Sequence, residues 1–337
     1  MRHLSTSSLV LDAPAGSASD VRVDEPRPLD EISVLLAAPR GFCAGVTRAI
    51  DAVRDALGVH GAPVYVRRAI VHNLEVVRGL EREGAIFIQE LDEAPEGSVV
   101  LFSAHGVSPA IIADAKHRGL TAYDAVCPLV SKVHREVQRH QRTGRKVILI
   151  GHRGHPEIEG TLGHVAPGSA FIVNSAADVA ALPLKDAEPT AYAVQTTYSV
   201  NDAHDIVEAL VARFSDLAGP SSSDICYATT NRQAAVREIA ARADAVIVAG
   251  DPSSSNANRL AEVAAAHCGL VQLIANASEI DWSKVPSSGA IGITAAASTP
   301  ESAVQSIVDA LGNRFHLRIE EVETVVENVA FKRLAIA

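Results

Sequence analysis

Cysteine is scarce in this chain, and its few copies lie far apart. Only four cysteines occur among 337 residues, and no CxxC pair is present. A disulfide scaffold needs a higher cysteine density and a zinc ribbon needs locally paired cysteines, so both classes are poorly supported. The composition favours a reduced environment, and we predict a cytoplasmic localisation.

Long apolar runs and an excess of positive charge are also missing. No apolar run reaches the roughly 20 residues that a membrane helix requires, and the formal net charge is −10. Such a chain does not offer the basic surface that attracts nucleic acids or anionic membranes. We therefore predict a small-molecule or protein partner, with no nucleic acid and no membrane.

The start of the chain lacks the apolar core of a cleavable signal peptide. Its first thirty residues are rich in Ser, Ala, Asp and Pro. Their several acidic residues also argue against an organelle transit peptide, because such peptides are usually poor in acids. We predict that residues 1–30 form a disordered tail.

What the chain does contain is 47% hydrophobic residues in a regular alternation. From Glu31 onward, short β-rich apolar runs alternate with longer helical patterns, with Gly, Ser or Pro at the junctions. This rhythm is typical of α/β layers with parallel sheets, and the length suits two or three domains. Strands are predicted at 33–37, 99–102, 146–150, 245–249 and 291–294, and helices at 45–57, 128–142 and 231–243.

Three cysteines, Cys43, Cys127 and Cys226, each follow a strand-like run and precede a helical pattern. A helix N-terminus favours a thiolate over a thiol. The cysteines are separated by domain-sized distances, so three similar lobes around a shared centre would bring the sulfurs together. We predict α/β domains at 31–126, 127–224 and 225–337, the last with a C-terminal segment. Cys268, near a helix end, is interpreted as a buried structural thiol.

Two kinds of metal centre suit three thiolates. Zinc held by three cysteines and a histidine is one, but structural zinc sites usually take ligands in local pairs. An iron-sulfur cluster accepts ligands from distant segments and is favoured here. A 4Fe-4S cluster on three cysteines leaves one iron without a protein thiolate and able to bind a substrate oxygen, which implies catalysis rather than electron carriage.

Polar residues at strand ends and helix starts suggest an anionic ligand. His72, His105 and His155 occupy loop-like positions, and a serine-rich run precedes a helical pattern. Hydroxyls, amides and helix N–H groups of this kind bind phosphate, although structural histidines and simple N-capping explain each feature alone. Glu157 is a candidate proton donor. The serine-rich run Ser253-Ser254-Ser255-Asn256 and Ser298 complete the candidate phosphate-binding set.

Motifs along the chain resemble those of the LytB or IspH family, the reductases of 4-hydroxy-3-methylbut-2-enyl diphosphate. The resemblance spans about residues 35–298. Its words are Pro39-Arg40-Gly41-Phe42-Cys43-Ala44-Gly45, Val71-His72-Asn73, Ser103-Ala104-His105-Gly106, the segment from Asp124 to His134, His155-Pro156-Glu157-Ile158-Glu159-Gly160, Gln195-Thr196-Thr197, Cys226-Tyr227-Ala228-Thr229-Thr230-Asn231-Arg232-Gln233 and Ser254-Ser255-Asn256.

The resemblance implies a trefoil of three similar α/β domains around a central 4Fe-4S cluster held by Cys43, Cys127 and Cys226. It implies that the substrate diphosphate is bound by His72, His105, Ser254, Ser255, Asn256 and Ser298. His155, Glu157 and Thr196 would surround the hydroxyl end, with Glu157 delivering protons. Two electrons and two protons would yield isopentenyl and dimethylallyl diphosphates and water, the last step of the non-mevalonate pathway. A ferredoxin or flavodoxin type donor would supply the electrons.

Some positions depart from the family pattern. Ala296 stands where glycine is usual, so the backbone before Ser298 must suit alanine. Ser253, Asp251-Pro252 and Thr47 are further departures. Two other functions stay open: a divergent paralogue that uses its cluster as a redox or iron sensor, and, more distantly, a zinc hydrolase.

Overall fold

The structure is a computed structural model that describes residues 30–337, so the predicted tail lies almost wholly outside the described residues. Within this range the chain forms thirteen strands and ten α-helices. The strands are β1 (Glu31–Ala38), β2 (Val64–Arg67), β3 (Ala85–Ile88), β4 (Val99–Phe102), β5 (Thr121–Asp124), β6 (Lys146–Ile150), β7 (Ala170–Val173), β8 (Thr190–Val194), β9 (Leu217–Ala218), β10 (Ala245–Ala249), β11 (Val271–Ile274), β12 (Gly289–Ala295) and β13 (His316–Glu323).

The helices alternate with most of these strands, as the sequence predicts, but no α-helix lies between β3 and β4 or between β11 and β12. They are α1 (Ala44–His60), α2 (Leu74–Glu83), α3 (Pro109–His117), α4 (Pro128–Arg142), α5 (Pro156–Leu162), α6 (Ala176–Ala180), α7 (Val200–Arg213), α8 (Tyr227–Ala240), α9 (Ser255–Ala265) and α10 (Glu301–Gly312). None of these helices is long and apolar enough to cross a membrane.

Three sheets repeat one strand order. The first is β3-β2-β4-β5, the second β7-β6-β8-β9 and the third β11-β10-β12-β1-β13. Every described strand pair is parallel. The third sheet matches the other two if β1 takes the place of β5 and β9, and β13 is an added edge strand. The predicted α/β class with three similar units is confirmed.

Strand β1 belongs to the third sheet although it opens the described chain. It pairs with β12, where Ile32 lies opposite Gly289, and with β13, where Glu31 lies opposite His316. Ile32 and Val34 are completely buried, which a strand achieves with neighbours on both edges and helices on both faces. The predicted domain boundaries after residues 126 and 224 remain a prediction. Strand β1, which that division assigns to the first domain, pairs with β12 and β13, which it assigns to the third.

Each long helix after a cysteine packs on the sheet that follows it in the chain. Helix α1 contributes Ala49 and Val53 to a core with strands β2 and β4, and α4 contributes Val133 and Val137 to a core with β6 and β8. Helix α8 packs in the same way on β10 through residues such as Val236. The three cysteines therefore lie at the junctions between successive layers.

Several predicted bounds match the observed ones. Strands β4, β6 and β10 and helix α4 have the predicted residues, with Pro128 as the first helical residue. Helix α8 begins at Tyr227, four residues before the predicted start, because Cys226 is its N-cap and the Cys226 sulfur accepts a hydrogen bond from the amide of Thr229. No strand leads directly into Cys226, since β9 ends at Ala218.

Candidate functional site

One cavity lies where the three sheets meet, beyond the carboxyl ends of their strands, as expected for parallel α/β sheets. It has an empty volume of about 680 Å³. All twelve predicted site residues line it: Cys43, Cys127, Cys226, His72, His105, His155, Glu157, Thr196, Ser254, Ser255, Asn256 and Ser298. Their predicted roles are a separate matter from this shared location.

The three cysteines occupy equivalent positions. Each is the N-cap of a helix, namely α1, α4 or α8. Each cysteine amide also donates a hydrogen bond to a carbonyl two residues beyond a strand, at 3.0 to 3.2 Å. The pairs are Cys43 with Ala297 after β12, Cys127 with Ala104 after β4, and Cys226 with Thr196 after β8. The repeated geometry directs the three side chains into one space.

Two of the sulfurs approach each other across Gly45. A β-carbon at residue 45 would lie 2.7 Å from Sγ of Cys127 and 3.8 Å from Sγ of Cys43. The first distance is far below van der Waals contact, so the space beside these sulfurs exists only because residue 45 has no side chain.

The spacing of the thiols fits a cluster better than one ion. Within residues 30–337, no three His, Cys, Asp or Glu side chains are close enough to hold a single metal ion. Three thiolates on one zinc would each lie about 2.3 Å from it. A cluster spreads its ligands because its metal atoms occupy separate corners. The donor set, three thiols from three segments facing one cavity, therefore suits an iron-sulfur cluster.

Burial opposes the predicted effect of the helix N-termini on two of the cysteines. Burial raises the pKa of Cys127 to about 12 and the pKa of Cys226 to about 11, and Cys43 adds to both shifts. Helix N–H groups act in the opposite direction, as the amide of Leu129 does for Cys127, but desolvation outweighs them. Bound metal would supply the positive charge that deprotonates these thiols.

Three histidines form a compact group in the cavity. The ring centroids of His72 and His105 are 4.4 Å apart, and His155 lies 5.5 Å from the first and 5.7 Å from the second. Burial lowers the pKa of His72, lowers the pKa of His105 well below its ordinary value and lowers the pKa of His155 to about 3. The three rings are therefore neutral at pH 7 and offer N–H donors rather than fixed charge.

Local hydrogen bonds orient two of these rings. Nδ1 of His155 accepts a hydrogen bond from the amide of Glu157 at 3.2 Å, so the proton of the neutral ring is on Nε2. Nδ1 of His105 lies 3.2 Å from the hydroxyl of buried Ser103. Among the described residues, Nε2 of His72 and Nδ2 of Asn256 are buried without a hydrogen-bond partner. Buried polar atoms of this kind call for a ligand or water.

Glu157 and Thr196 form a buried pair. The amide of Thr196 donates to Oε1 of Glu157 at 2.7 Å, and the Thr196 hydroxyl donates to Oε2 at 2.8 Å. Glu157 is only 2% exposed, and burial raises its pKa to about 7, against the opposing effect of the two hydrogen bonds. The carboxyl can therefore both hold and release a proton near neutral pH. Glu159, by contrast, lies at the surface and pairs with Arg68 at 2.6 Å.

The serines differ in their hydrogen bonds. Ser254 caps α9, because its hydroxyl accepts a hydrogen bond from the amide of Ala257. The Ser255 hydroxyl lies 3.2 Å from the hydroxyl of Thr197. Ser298 does not cap α10, since its hydroxyl donates to the carbonyl of His72 at 2.9 Å. Simple N-capping therefore accounts for Ser254 alone.

Two departures from the family pattern have clear structural settings. Ala296 is completely buried and has no left-handed backbone, because Arg68 is the one described residue other than glycine with a positive φ. Asp251 accepts hydrogen bonds from the amide of Leu74 and from Ser253, and its charge opposes the lowering of the pKa of His72. Thr47 is exposed at the surface of α1.

Two polar residues of the cavity, Thr197 and Thr229, were not predicted as functional. Thr229 lies 3.2 Å from the sulfur of Cys226 through its hydroxyl, and Thr197 contacts Ser255. The spacing of three residues between Cys226 and Thr229 at a helix start is the sequence signal for the first contact. The second contact joins a loop residue to a helix start 58 positions away in the chain and has no local signal.

Comparisons with known proteins agree with these features. The family model described as LytB protein matches residues 34–312. Proteins named 4-hydroxy-3-methylbut-2-enyl diphosphate reductase from Methylocella silvestris and Ruegeria pomeroyi are 51% and 52% identical. Each alignment covers 89% of this chain, with 95% of the first relative and 96% of the second.

Solved structures of similarly named proteins have the same fold. The E-1-hydroxy-2-methyl-but-2-enyl-4-diphosphate reductase from Plasmodium falciparum superposes with a TM-score of 0.86 at 39% identity, over 91% of this chain and 96% of that one. A structure of an (E)-4-hydroxy-3-methyl-but-2-enyl diphosphate reductase gives a TM-score of 0.61 at 28% identity, over 84% and 99%. With a family match over most of its length, this chain belongs to the LytB protein family.

Proposed function

We propose that this protein is a reductase that converts (E)-4-hydroxy-3-methylbut-2-enyl diphosphate into isopentenyl and dimethylallyl diphosphates, the terminal step of the non-mevalonate pathway. The substrate gains two electrons and two protons and loses its hydroxyl as water. Family membership supports the assignment. The observation that carries it in the structure is that three thiols and the Glu157–Thr196 pair line one cavity together with histidine, serine and asparagine side chains.

The diphosphate fits the wall formed by the histidines, the serine run and Ser298. Neutral His72 and His105 donate hydrogen bonds to phosphate oxygens, and the unpartnered Nδ2 of Asn256 is a further donor. The hydroxyls of Ser254, Ser255 and Ser298 and the N-terminus of α9 add to this binding. The net charge of −10 does not prevent diphosphate binding, because the proposed hydrogen-bond donors lie in the cavity itself.

Glu157 is the proposed proton donor. Its pKa of about 7 leaves a substantial fraction protonated at neutral pH, and its position in a buried pair excludes bulk water from the carboxyl. Thr196 holds the carboxyl in place through two hydrogen bonds. His155 is the N-cap of the helix that carries Glu157, and its Nε2 proton is available to the hydroxyl end of the substrate.

The proposed cofactor is a 4Fe-4S cluster held by Cys43, Cys127 and Cys226. When bound, the cluster supplies the redox chemistry of the reaction. The chain supplies three thiols at helix starts and, at Gly45, the space between two of them. A ferredoxin or flavodoxin type donor and a cytoplasmic localisation complete the proposal.

The test is anaerobic reduction of the named substrate by the cluster-reconstituted protein with a chemical electron donor. We expect both five-carbon diphosphates from the wild type and a rate lower by about 100-fold from Glu157→Gln, a typical loss for a general acid. Glu159→Gln is the matched control, because Glu159 lies on the same helix but pairs with Arg68 at the surface.

Each other outcome has a defined meaning. A full 4Fe-4S cluster without turnover would replace the reductase with the sensor function. Bound zinc without sulfide would reject the cluster itself. Equal rates for Glu157→Gln and Glu159→Gln would retain the reductase but reject Glu157 as the proton donor.

A further inference from the structure

Each helix that begins at a site cysteine carries a basic residue near its start. Arg48 follows Cys43 by five positions, Lys132 follows Cys127 by five, and Arg232 follows Cys226 by six. The spacing places each cation within the second turn of its helix. None of the three side chains lines the cavity. Their contacts therefore lie outside the cavity.

Arg48, on α1, reaches the loop that precedes a different cysteine. Its Nη1 donates to the carbonyl of Val126 at 3.0 Å, one residue before Cys127. Its Nε donates to the carbonyl of Lys332 in the C-terminal segment, also at 3.0 Å. Arg48 therefore joins the helix of Cys43 to the loop of Cys127.

Lys132, on α4, makes corresponding contacts with the loop that precedes Cys226. Its ammonium donates to the carbonyls of Ser222 and Ser223 at 2.7 and 3.0 Å. It also pairs with the carboxylate of Asp224 at 3.0 Å, two residues before Cys226. The Asp224 side chain is completely buried and accepts the amide of Val194, the last residue of β8. Lys132 therefore joins the helix of Cys127 to the loop of Cys226.

Arg232, on α8, closes the cycle. It is 1% exposed, and its Nε and Nη2 both donate to the carbonyl of Gly41, at 3.0 and 2.8 Å. A longer contact of 3.4 Å reaches the carbonyl of Phe42, the residue before Cys43. Glu327 balances the buried charge at 3.0 Å. Arg232 therefore joins the helix of Cys226 to the loop of Cys43.

We propose that Arg48, Lys132 and Arg232 form a cyclic set of positioning residues, each of which fixes the loop of the next cysteine ligand around the site. The loops need such donors because their carbonyls lie between a strand and a helix, outside both hydrogen-bond patterns. Charged donors make stronger hydrogen bonds than neutral ones. The cycle thus couples each unit to its neighbour through one side chain.

Each cation contacts the loop of a cysteine on a different helix, which distinguishes a positioning role from general stabilisation of its own helix. A cation that merely stabilised its own helix would protect the cysteine at the start of that helix. The observed contacts instead predict that loss of Arg48 loosens the loop of Cys127, loss of Lys132 that of Cys226, and loss of Arg232 that of Cys43.

The experiment is hydrogen exchange, read by mass spectrometry, on the cluster-loaded full chain and its Arg48→Met, Lys132→Met and Arg232→Met variants. Methionine keeps an apolar stem and removes the donors. We expect exchange at the amides of Cys127, Cys226 and Cys43, respectively, to accelerate about tenfold, in line with loss of a hydrogen bond to a charged group. The two other cysteine loops of each variant should keep the wild-type rate.

Matched controls lie on the same three helices. Arg54→Met on α1, Arg139→Met on α4 and Arg237→Met on α8 remove cations that do not contact a cysteine loop, and we expect no change in the three amides. Conservative substitutions keep the positive charge and should recover part of the protection of the loop amides from hydrogen exchange. They are Arg48→Lys, Lys132→Arg and Arg232→Lys. Iron loss to a chelator should be about tenfold faster in the methionine variants, as for other partners of metal ligands.

Equal acceleration in all three loops, acceleration in the loop at the start of the mutated helix, or wild-type exchange would each overturn the proposal. If Arg232→Met does not fold, Arg48→Met and Lys132→Met decide the matter. The iron measurement rests on the proposed cluster, whereas the exchange measurement reports the loops whatever they bind. A failed reductase assay and a failed cyclic set are therefore distinguishable.

Discussion

Glu157 shows how the surroundings of one residue set its chemistry. A carboxyl that accepts two hydrogen bonds ordinarily has a low pKa, because both bonds favour the charged form. In Glu157 burial acts more strongly and raises the pKa to about 7. Thr196 thus keeps the pKa from rising further, and the carboxyl can gain and lose a proton near neutral pH.

The pH dependence of turnover follows from this pKa. Only protonated Glu157 can donate, so we expect kcat to fall as pH rises through about 7, with a loss of about fivefold between pH 7 and pH 8.0 for one ionising group near 7. The measurement is kcat at saturating substrate with a chemical electron donor. A rate that is constant from pH 6 to 8.5, or that falls toward low pH, would remove Glu157 from the donor role.

Thr196 should tune that profile. Its hydroxyl bond to Oε2 lowers the pKa of Glu157, so Thr196→Val should move the fall in kcat upward by about one pH unit, the equivalent of one hydrogen bond to a charged group. Thr197→Val is the control, because the Thr197 hydroxyl contacts Ser255 instead. An unchanged or lowered midpoint in Thr196→Val would contradict the expectation.

The positions of the site residues were predictable from sequence, but their ionisation was not. Residues such as His105 and Asn256 follow apolar strand runs, and parallel strand ends converge. The pKa values of Cys127 and Cys226 depend on burial by segments far away in the chain. A helix N-terminus supplies only a partial charge, and sequence patterns contain no measure of the opposing desolvation.

At the scale of elements, helix α1 serves both the fold and the site. Its first turn carries Gly45 against two sulfurs, while its later residues pack on the first sheet. Alanine favours helix more than glycine does, so propensity alone would place alanine at both Gly45 and Gly58. The structure separates these two positions, because a β-carbon at Gly58 would meet no atom within 4 Å.

Alanine substitutions on α1 should therefore have opposite effects. We expect Gly58→Ala to stabilise the protein by about 0.5–1 kcal/mol. Gly45→Ala should displace Cys127 and lower the iron bound per chain after reconstitution, because its β-carbon would lie 2.7 Å from the sulfur. Thermal unfolding and iron content are the measurements. Full iron content in Gly45→Ala would show that the loop of Cys127 can move aside.

Element prediction succeeded where the signal was local. Strand β6 and helix α4 have the predicted bounds because each is an unbroken pattern with clear ends. The start of α8 was missed because capping by the Cys226 sulfur is a contact that hydrophobic periodicity does not register. The basic residues after each cysteine are visible in the sequence. The loop carbonyls and the carboxylate that they contact lie in another unit, so local patterns do not reveal these contacts.

At the scale of the whole molecule, three repeats of one strand order surround the site. The sequence predicts three similar units, yet it does not show that β1 completes the last sheet. An apolar strand such as β1 suits any parallel sheet, and its pairing with β12 spans most of the chain. Which sheet it joins is decided by long-range packing.

The C-terminal segment contacts both helix α8 and the core of the first sheet. Glu327 pairs with Arg232, and Leu334 and Ile336 pack on the core of the first sheet. Removing Glu327 leaves a buried, unpaired arginine, so we expect Glu327→Ala to lower the free energy of unfolding by about 3 kcal/mol.

Glu320 provides the control for this prediction. It pairs with Arg242, and both side chains are substantially exposed, at 53% and 40%. Exposed pairs contribute little, so Glu320→Ala should lower the free energy of unfolding by less than about 1 kcal/mol. Denaturant unfolding of both variants is the measurement, and equal effects would show that Arg232 finds another partner or water.

The place of β1 between β12 and β13 also orders events in time. A ribosome makes β1 first and its two sheet neighbours last, so the nascent strand waits without either partner while nearly the entire chain is produced. Cys43, which follows β1, cannot take its final position until then. We therefore expect the proposed cluster to assemble only after β12 and β13 have been synthesised.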